Sequence, residues 1–314
     1  MAGSFGGNSD RKAAMKPDLL IVGSGALATL FAARLSAGGV KVTLLGSWQA
    51  GLSALRKTGA RLEGGDNQIV QATDNPADCL GVKCALVLVK YWQTEHSARQ
   101  LAECLAEDGV AVTLQNGLGN DAFLAKSLGH RRVSRGVTTL GATLLAPGLV
   151  RPAGEGEVTL EAHSRLNGLE EMLRAAKFDV CRTENMEPVV WGKLIINAAI
   201  NPITALLRVK NGLLLTNPPA HALMSELAGE AARVAKAIPV ELPFLDPVRE
   251  VEEVAQHTAE NISSMLQDVL RGATTEVDAI NGAVVRMGEQ KGVPVPANRI
   301  ICSLVKALSV RDKI

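Results

Sequence analysis

Leu19-Leu20-Ile21-Val22 runs directly into Gly23-Ser24-Gly25-Ala26-Leu27-Ala28, and a helical stretch to about Ala37 follows, stopped by Gly38-Gly39. Val40-Lys41-Val42-Thr43-Leu44-Leu45 then forms a second apolar run. Two buried-strand patterns joined by a helix inside ~30 residues leave the chain little choice of fold, because parallel neighbours need such a crossover. The segment reads as the first unit of a Rossmann-type, doubly wound α/β sheet. Gly23-x-Gly25-x-x-Ala28 fits the dinucleotide fingerprint with a small third residue. The first Gly permits the tight turn and the second lets a pyrophosphate approach the main chain. The third small residue lets helix and strand pack, while the helix N-terminus faces the phosphates. Gly23, Ser24, Gly25, Ala26 and Leu27 are therefore candidate cofactor contacts. A glycine-tolerant turn in an unrelated α/β protein is the alternative, and the flanking strand and helix weigh against it.

The end of the second strand normally carries the residue that reads the ribose. An acid there suits NAD, and an arginine suits the 2′-phosphate of NADP. This chain has Leu45-Gly46-Ser47-Trp48, neither one. The missing carboxylate leans towards NADP (NADPH), with Ser47 as donor and Arg56 or Lys57 as cations within reach. A solvated helix face is the competing reading for either cation taken singly.

Ala85-Leu86-Val87-Leu88-Val89 and Val110-Ala111-Val112-Thr113-Leu114 are further strand candidates, separated by a helical stretch from about Trp92 to Ala106. Gly- and Thr-rich segments between Val133 and Glu161 suggest antiparallel hairpins at one sheet edge, followed by a helix from Asn167 to Ala176 and a strand from Phe178 to Arg182. Beyond Glu187 the pattern is helical, in runs from about Pro188, Ala220, Val248, Thr274 and Asn298. The expected division is a disordered leader over 1–16, a dinucleotide-binding domain over 17–185 and a helical substrate domain over 186–314.

The second half contains Trp191-Gly192-Lys193-Leu194-Ile195-Ile196-Asn197-Ala198-Ala199-Ile200-Asn201-Pro202. On a helix, steps of four place Lys193, Asn197 and Asn201 on one face. An ammonium and two carboxamides in a Leu/Ile/Ala surface are costly to bury without partners. The stripe faces either water or a polar cavity, and its apolar neighbours favour the cavity. Asn201-Pro202 also suits the start of a new helix, with Pro202 ending or kinking the first near Ile200.

Composition narrows the field. Lys and Arg number 33 against 32 Asp and Glu, and aromatics are only 3% of the 314 residues, so a nucleic-acid surface is not expected. Cys79, Cys84, Cys104, Cys181 and Cys302 are scattered without a C-x-x-C, and no H-E-x-x-H occurs, which argues against disulfides or a metal site. No apolar run reaches ~18 residues, so no membrane span is expected and the chain reads as cytoplasmic.

Taken with the glycine turn and the polar stripe, two further regions make the chain resemble the ketopantoate reductases (2-dehydropantoate 2-reductases). One comprises Val89-Lys90-Tyr91-Trp92-Gln93 and Gln115-Asn116-Gly117-Leu118-Gly119. The other runs from Thr258 through Asn261, Ser264 and Asp268 to Thr275-Glu276-Val277-Asp278 and Asn281-Gly282. The resemblance covers Asp18 to about Leu308. It implies Lys193 as the general acid and Glu276 as the group that holds the substrate hydroxyl and the lysine. It further implies Asn197 and Asn201 bonding the substrate or orienting the lysine, Asn261 and Ser264 at the substrate, and Lys90 and Asn116 near the cofactor and the reacting centre. Family members often carry Arg where this chain has Ser47, which loosens the expected NADP preference.

The residues support that chemistry in their own right. Reducing a 2-keto acid needs a hydride donor, an acid for the developing alkoxide and donors for the carboxylate. A desolvated lysine serves, since burial lowers its pKa towards neutral pH. A plain Lys193–Glu276 ion pair is the structural alternative, and a simple turn is the alternative for Asn116-Gly117. Ser264 lies three positions after Asn261, and Asp268 four further on, which would put all of them on one helix face. Three functions compete: ketopantoate reduction on the way to pantothenate and coenzyme A, reduction of another 2-keto acid on the same fold, and a non-catalytic NADP-binding regulator. The helical half could supply a homodimer face.

Overall fold

The computed structural model describes residues 17–309; the leader expected over 1–16 lies outside them. Among the described residues, eleven strands form two sheets. They are β1 (Leu19–Val22), β2 (Val42–Leu45), β3 (Arg61–Leu62), β4 (Gln71–Thr73), β5 (Val82–Val87), β6 (Leu105–Thr113), β7 (Val133–Thr138), β8 (Ala142–Ala146), β9 (Leu149–Pro152), β10 (Glu157–Glu161) and β11 (Asp179–Thr183). The large sheet has the order β11-β10-β7-β6-β5-β1-β2-β4. From β4 to β7 every pairing is parallel. Counted along the chain, those strands follow the doubly wound order 3-2-1-4-5-6, with the switch point between β1 and β5.

The all-apolar β1 is what such a sheet requires. Leu19 and Ile21 point into one core and Leu20 and Val22 into the other, so both faces are dry. Five helices accompany the strands: α1 (Ala26–Ala37), α2 (Gln49–Thr58), α3 (Thr94–Cys104), α4 (Asn120–Leu128) and α5 (Asn167–Ala175). Phe31 of α1 stacks on Phe178 with ring centroids 4.7 Å apart, which closes one face.

The region after Val133 is only partly the expected set of edge hairpins. β7 extends the parallel sheet and β10 pairs with it antiparallel. The β8–β9 hairpin leaves to join β3 in a separate three-stranded sheet.

From Glu187 to Ser309 the chain is helical: α6 (Glu187–Leu207), α7 (Leu213–Thr216), α8 (Pro218–Ala237), α9 (Pro247–His257), α10 (Ser264–Leu270), α11 (Asn281–Lys291) and α12 (Pro296–Ser309). Its own apolar core gathers around Trp191, Leu194, Ile195, Met224, Leu227 and Val284. α6 has the length and mean hydropathy of a membrane-crossing helix, more than the sequence reading allowed, but 67% of that stretch is buried inside the fold. It serves as the central helix of this half.

Pro202 does not end α6, which continues to Leu207. A mid-helix proline cannot bond the carbonyl four residues back. That carbonyl, of Ala198, accepts instead from the Asn281 side-chain amide at 2.9 Å. Asn281 also donates to Asn298 Oδ1, and Asn298 donates to the buried Glu230 and to the Leu227 carbonyl. Glu230 in turn accepts the main-chain N–H groups of Ala297 and Asn298 at the start of α12.

The helix expected from Thr274 starts only at Asn281. The Ala279 carbonyl is engaged by the Leu118 N–H of the sheet half, and residues 274–280 form an irregular connection.

Candidate active site

A cleft of ≈ 600 Å³ lies between the carboxyl ends of the parallel strands and the helical half. One wall comes from strand ends, the position where open parallel sheets hold ligands. Gly23–Leu27 follow β1, Gly46–Trp48 follow β2, Leu88–Lys90 follow β5, and Leu114–Asn116 follow β6. Opposite them stand Lys193, Ser264, Gln267, Arg271, Ala273 and Glu276.

The glycine turn fits a dinucleotide. Gly23 has φ +128°, which strains any side chain, and a Cβ there would also sit tight against the Leu88 carbonyl oxygen, at 3.0 Å. Gly25 has ordinary backbone angles, and a Cβ there would project into open space in the cleft. It is the N-cap of α1, with no side-chain cap and no acid in the first turn. The first N–H groups of that helix, and its positive dipole end, are thus left for an anion.

Ser47 is exposed on the cleft wall, beside Trp48. The cations expected nearby are not in the cleft lining. Arg56 donates through Nε to the Ala72 carbonyl at 2.6 Å and pairs with Asp74 at 3.5 Å. Asp74 also accepts from Gln49 at 2.7 Å. Arg56 is therefore drawn towards the end of β4.

At the other end, two lysines approach one carboxylate. Lys90 Nζ lies 3.2 Å from Glu276 Oε2 and 2.7 Å from Asp268 Oδ2. Glu276 Oε1 accepts the Tyr91 main-chain N–H at 3.2 Å, and Asn116 Nδ2 lies 3.5 Å from Oε2. Lys193 Nζ donates to the Thr138 carbonyl at 2.6 Å and feels Glu276 through space. Burial pulls the Lys193 pKa down to about 8, against the opposing pull of Glu276. For Lys90, burial also disfavours charge, but Glu276 and Asp268 outweigh it and hold the pKa above its ordinary value. One lysine is thus a fixed charge and the other a group that titrates near working pH.

Asn197 and Asn201 follow Lys193 along α6 but do not line the cleft; Asn201 is buried. Asn261 and Ser264 do not share a helix face. α10 begins at Ser264 with Ser263 as its N-cap, accepting the Leu266 N–H, and Asn261 lies in the preceding turn, bonded to the Thr258 carbonyl. Ser264 does reach the cleft and shares α10 with Asp268. The Thr138 carbonyl, Arg271 and Trp48 were not singled out from sequence. The four-residue step from Ser264 to Asp268 was the available signal for Asp268. Lys193 and Asn116 also border a second cavity of ≈ 230 Å³, lined further by Arg135, Asp121 and Glu187.

A glycine turn at the switch point of a parallel sheet, facing a desolvated lysine across a cleft, defines an oxidoreductase that works with a nicotinamide dinucleotide. Two family descriptions match: "Ketopantoate reductase PanE/ApbA" over residues 19–165 and "Ketopantoate reductase PanE/ApbA C terminal" over 185–309. The chain belongs to the ketopantoate reductase family. A 2-dehydropantoate 2-reductase of Archaeoglobus fulgidus is 40% identical over 92% of this chain and 96% of its own. The crystal structure of a PanE/ApbA family ketopantoate reductase from Ralstonia eutropha is 32% identical, with a TM-score of 0.86 over 93% of this chain and 98% of that one. D-mandelate dehydrogenase, solved with NADH and anilino(oxo)acetate, shares the fold at 23% identity, with a TM-score of 0.87 over 93% and 98% of the two chains.

Proposed function

We propose that the protein reduces 2-dehydropantoate to pantoate with NADPH, the residues 17–185 holding the cofactor and 186–314 the substrate. The observation that carries the reading is Lys193: its ammonium borders the same cleft as the glycine turn, with its pKa brought to about 8. Gly23, Ser24, Gly25, Ala26 and Leu27 would hold the pyrophosphate through main-chain N–H groups and the helix dipole. NADPH bound there supplies the hydride. Lys193 gives its proton to the ketone oxygen as negative charge develops on it, and so acts as general acid. Glu276 accepts from the substrate hydroxyl and keeps a counter-charge near the lysine. Lys90 and Asn116 border the approach to the reacting carbon, and Asn197 and Asn201 orient the lysine along its helix. Asn261 and Ser264 meet the carboxylate and hydroxyl end of the substrate. Ser47 faces the ribose. A cytoplasmic site of action and a homodimer built on the helical half belong to the same reading.

NADPH oxidation measured with ketopantoate beside a panel of other 2-keto acids tests it. Preferred turnover of ketopantoate is expected. Preferred turnover of another keto acid would keep the chemistry and change the substrate, since pocket shape shifts with few substitutions. NADPH binding without any turnover would leave a regulator.

A further inference from the structure

Asp268 is a buried carboxylate that the mechanism above leaves without a task. Its side chain is 3% exposed, on the face of α10 that meets the sheet half. Oδ2 accepts from Lys90 Nζ at 2.7 Å and Oδ1 from Arg271 at 3.1 Å. Lys90 stands at the end of β5, 178 positions earlier in the chain, so this contact spans the seam between the halves. The same ammonium reaches Glu276 at 3.2 Å. One ammonium is thus shared by two carboxylates, and one of these, Glu276, lines the cleft with Lys193 and acts on it through space.

We propose that Asp268 is a positioning residue: it holds the Lys90 ammonium more closely than Glu276 does, 2.7 Å against 3.2 Å, so that Lys90 only partly neutralises Glu276 and the remaining charge of Glu276 acts on Lys193. The inference rests on the functional reading only for its catalytic meaning. Its electrostatic content is a property of the folded chain. With Asp268 neutralised, Lys90 keeps Glu276 as its sole carboxylate. Glu276, then more fully neutralised by Lys90, offers Lys193 less counter-charge, and the desolvated ammonium is harder to maintain. Removing the Lys90 charge does the reverse and frees Glu276 for Lys193. Among the other charges around this group, Arg271 loses its carboxylate partner in Asp268→Asn and keeps it in Lys90→Met. Arg271 faces Asp268 from the C-cap of α10, and Asp121 and the mutually paired Arg135 and Glu187 line the second cavity with Lys193.

The Lys193 titration can be followed by NMR in the full-length protein, through the side-chain carbon next to Nζ. Asp268→Asn should lower the Lys193 pKa by roughly one unit, Lys90→Met should raise it by a similar amount, and Asp268→Glu should return it towards the native value. The alkaline limb of kcat/KM should move the same way. A purely structural role predicts a loss of stability and no opposed shifts. Unchanged titrations, or shifts of one sign in both variants, would overturn the proposal; if Asp268→Asn does not fold, Lys90→Met alone decides by its sign. Failure of native protein to reduce ketopantoate would sink the functional reading instead, and the NMR shifts would still judge Asp268.

Discussion

At the nucleotide end of the cleft the chain offers main chain, and at the reaction end it offers side chains. Gly23 and Gly25 contribute by lacking a Cβ, within one turn between β1 and α1. Lys90, Lys193, Asp268 and Glu276 come from four segments, with the Lys90–Glu276 pair 186 positions apart. The first kind of site is local, and its geometry follows from backbone angles. The second depends on two separately packed cores meeting in one arrangement. The chemistry should therefore be fragile to changes at the reaction end, and cofactor affinity to changes at the turn, with little crossover.

The largest effect expected is at Lys193. Lys193→Ala should lower kcat by about 10²–10⁴-fold while NADPH affinity holds. Steady-state rates and cofactor titration on one preparation check this, and equal losses in both would break the division between the two ends. The native enzyme should also lose reductive activity as pH rises through about 8, because the protonated lysine is the acid. That limb should vanish in the variant.

Gly25→Val is the mirror image. The backbone angles there suit any residue, and the new atoms enter open space, so Tm should barely move. Cofactor Kd should rise roughly 10- to 100-fold as charge-assisted contacts to phosphate are blocked. A lowered kcat at saturating NADPH would show that the turn also tunes the chemistry.

Ser47 sharpens the comparison within the nucleotide end. Because Arg56 is held by the Ala72 carbonyl and Asp74, it is a poor grip for a 2′-phosphate, and NADPH should be preferred over NADH only modestly. Ser47→Arg should increase the preference by one charged hydrogen bond, about 1.5–3 kcal/mol, and Ser47→Asp should abolish or reverse it. Ratios of kcat/KM for the two cofactors in the three proteins give the answer. An unchanged ratio in Ser47→Asp would place the ribose elsewhere.

The smallest effect is read first in stability. Asn281→Leu strands the Ala198 carbonyl and should cost about 1–3 kcal/mol, read as a lower denaturant midpoint with an unchanged slope.

The same contrast decided what could be read from the sequence. The glycine turn, the strand order's first unit and the helical second half were legible because each depends on neighbours a few positions away. Lys193 stood out because a cation is rare in such an apolar helix. Its partner did not, since the Thr138 carbonyl lies 55 positions distant and carries no side-chain signature. Pro202 misled for a related reason: the rule that proline breaks a helix assumes that nobody else satisfies the stranded carbonyl, and Asn281 does. Of the two readings open for Arg56, the 2′-phosphate grip loses because Asp74 and the Ala72 carbonyl at the end of β4 engage it from α2. Asn261 was assigned to a helix that Ser263 in fact starts two residues later.

The bond between Asn281 and Ala198 has a consequence for assembly. Lys193 lies five positions before Ala198, and Glu276 lies five positions before Asn281. A helix faced with Leu, Ile and Ala can slide against its neighbours for little loss of contact, because apolar packing is non-directional. Hydrogen bonds saturate, and a slip of one residue would leave Ala198, Asn281, Asn298 and Glu230 with buried valences unfilled. The knot acts as an indexing pin for two lengths of chain at once, and it sets the spacing of acid and carboxylate from behind, out of reach of the substrate.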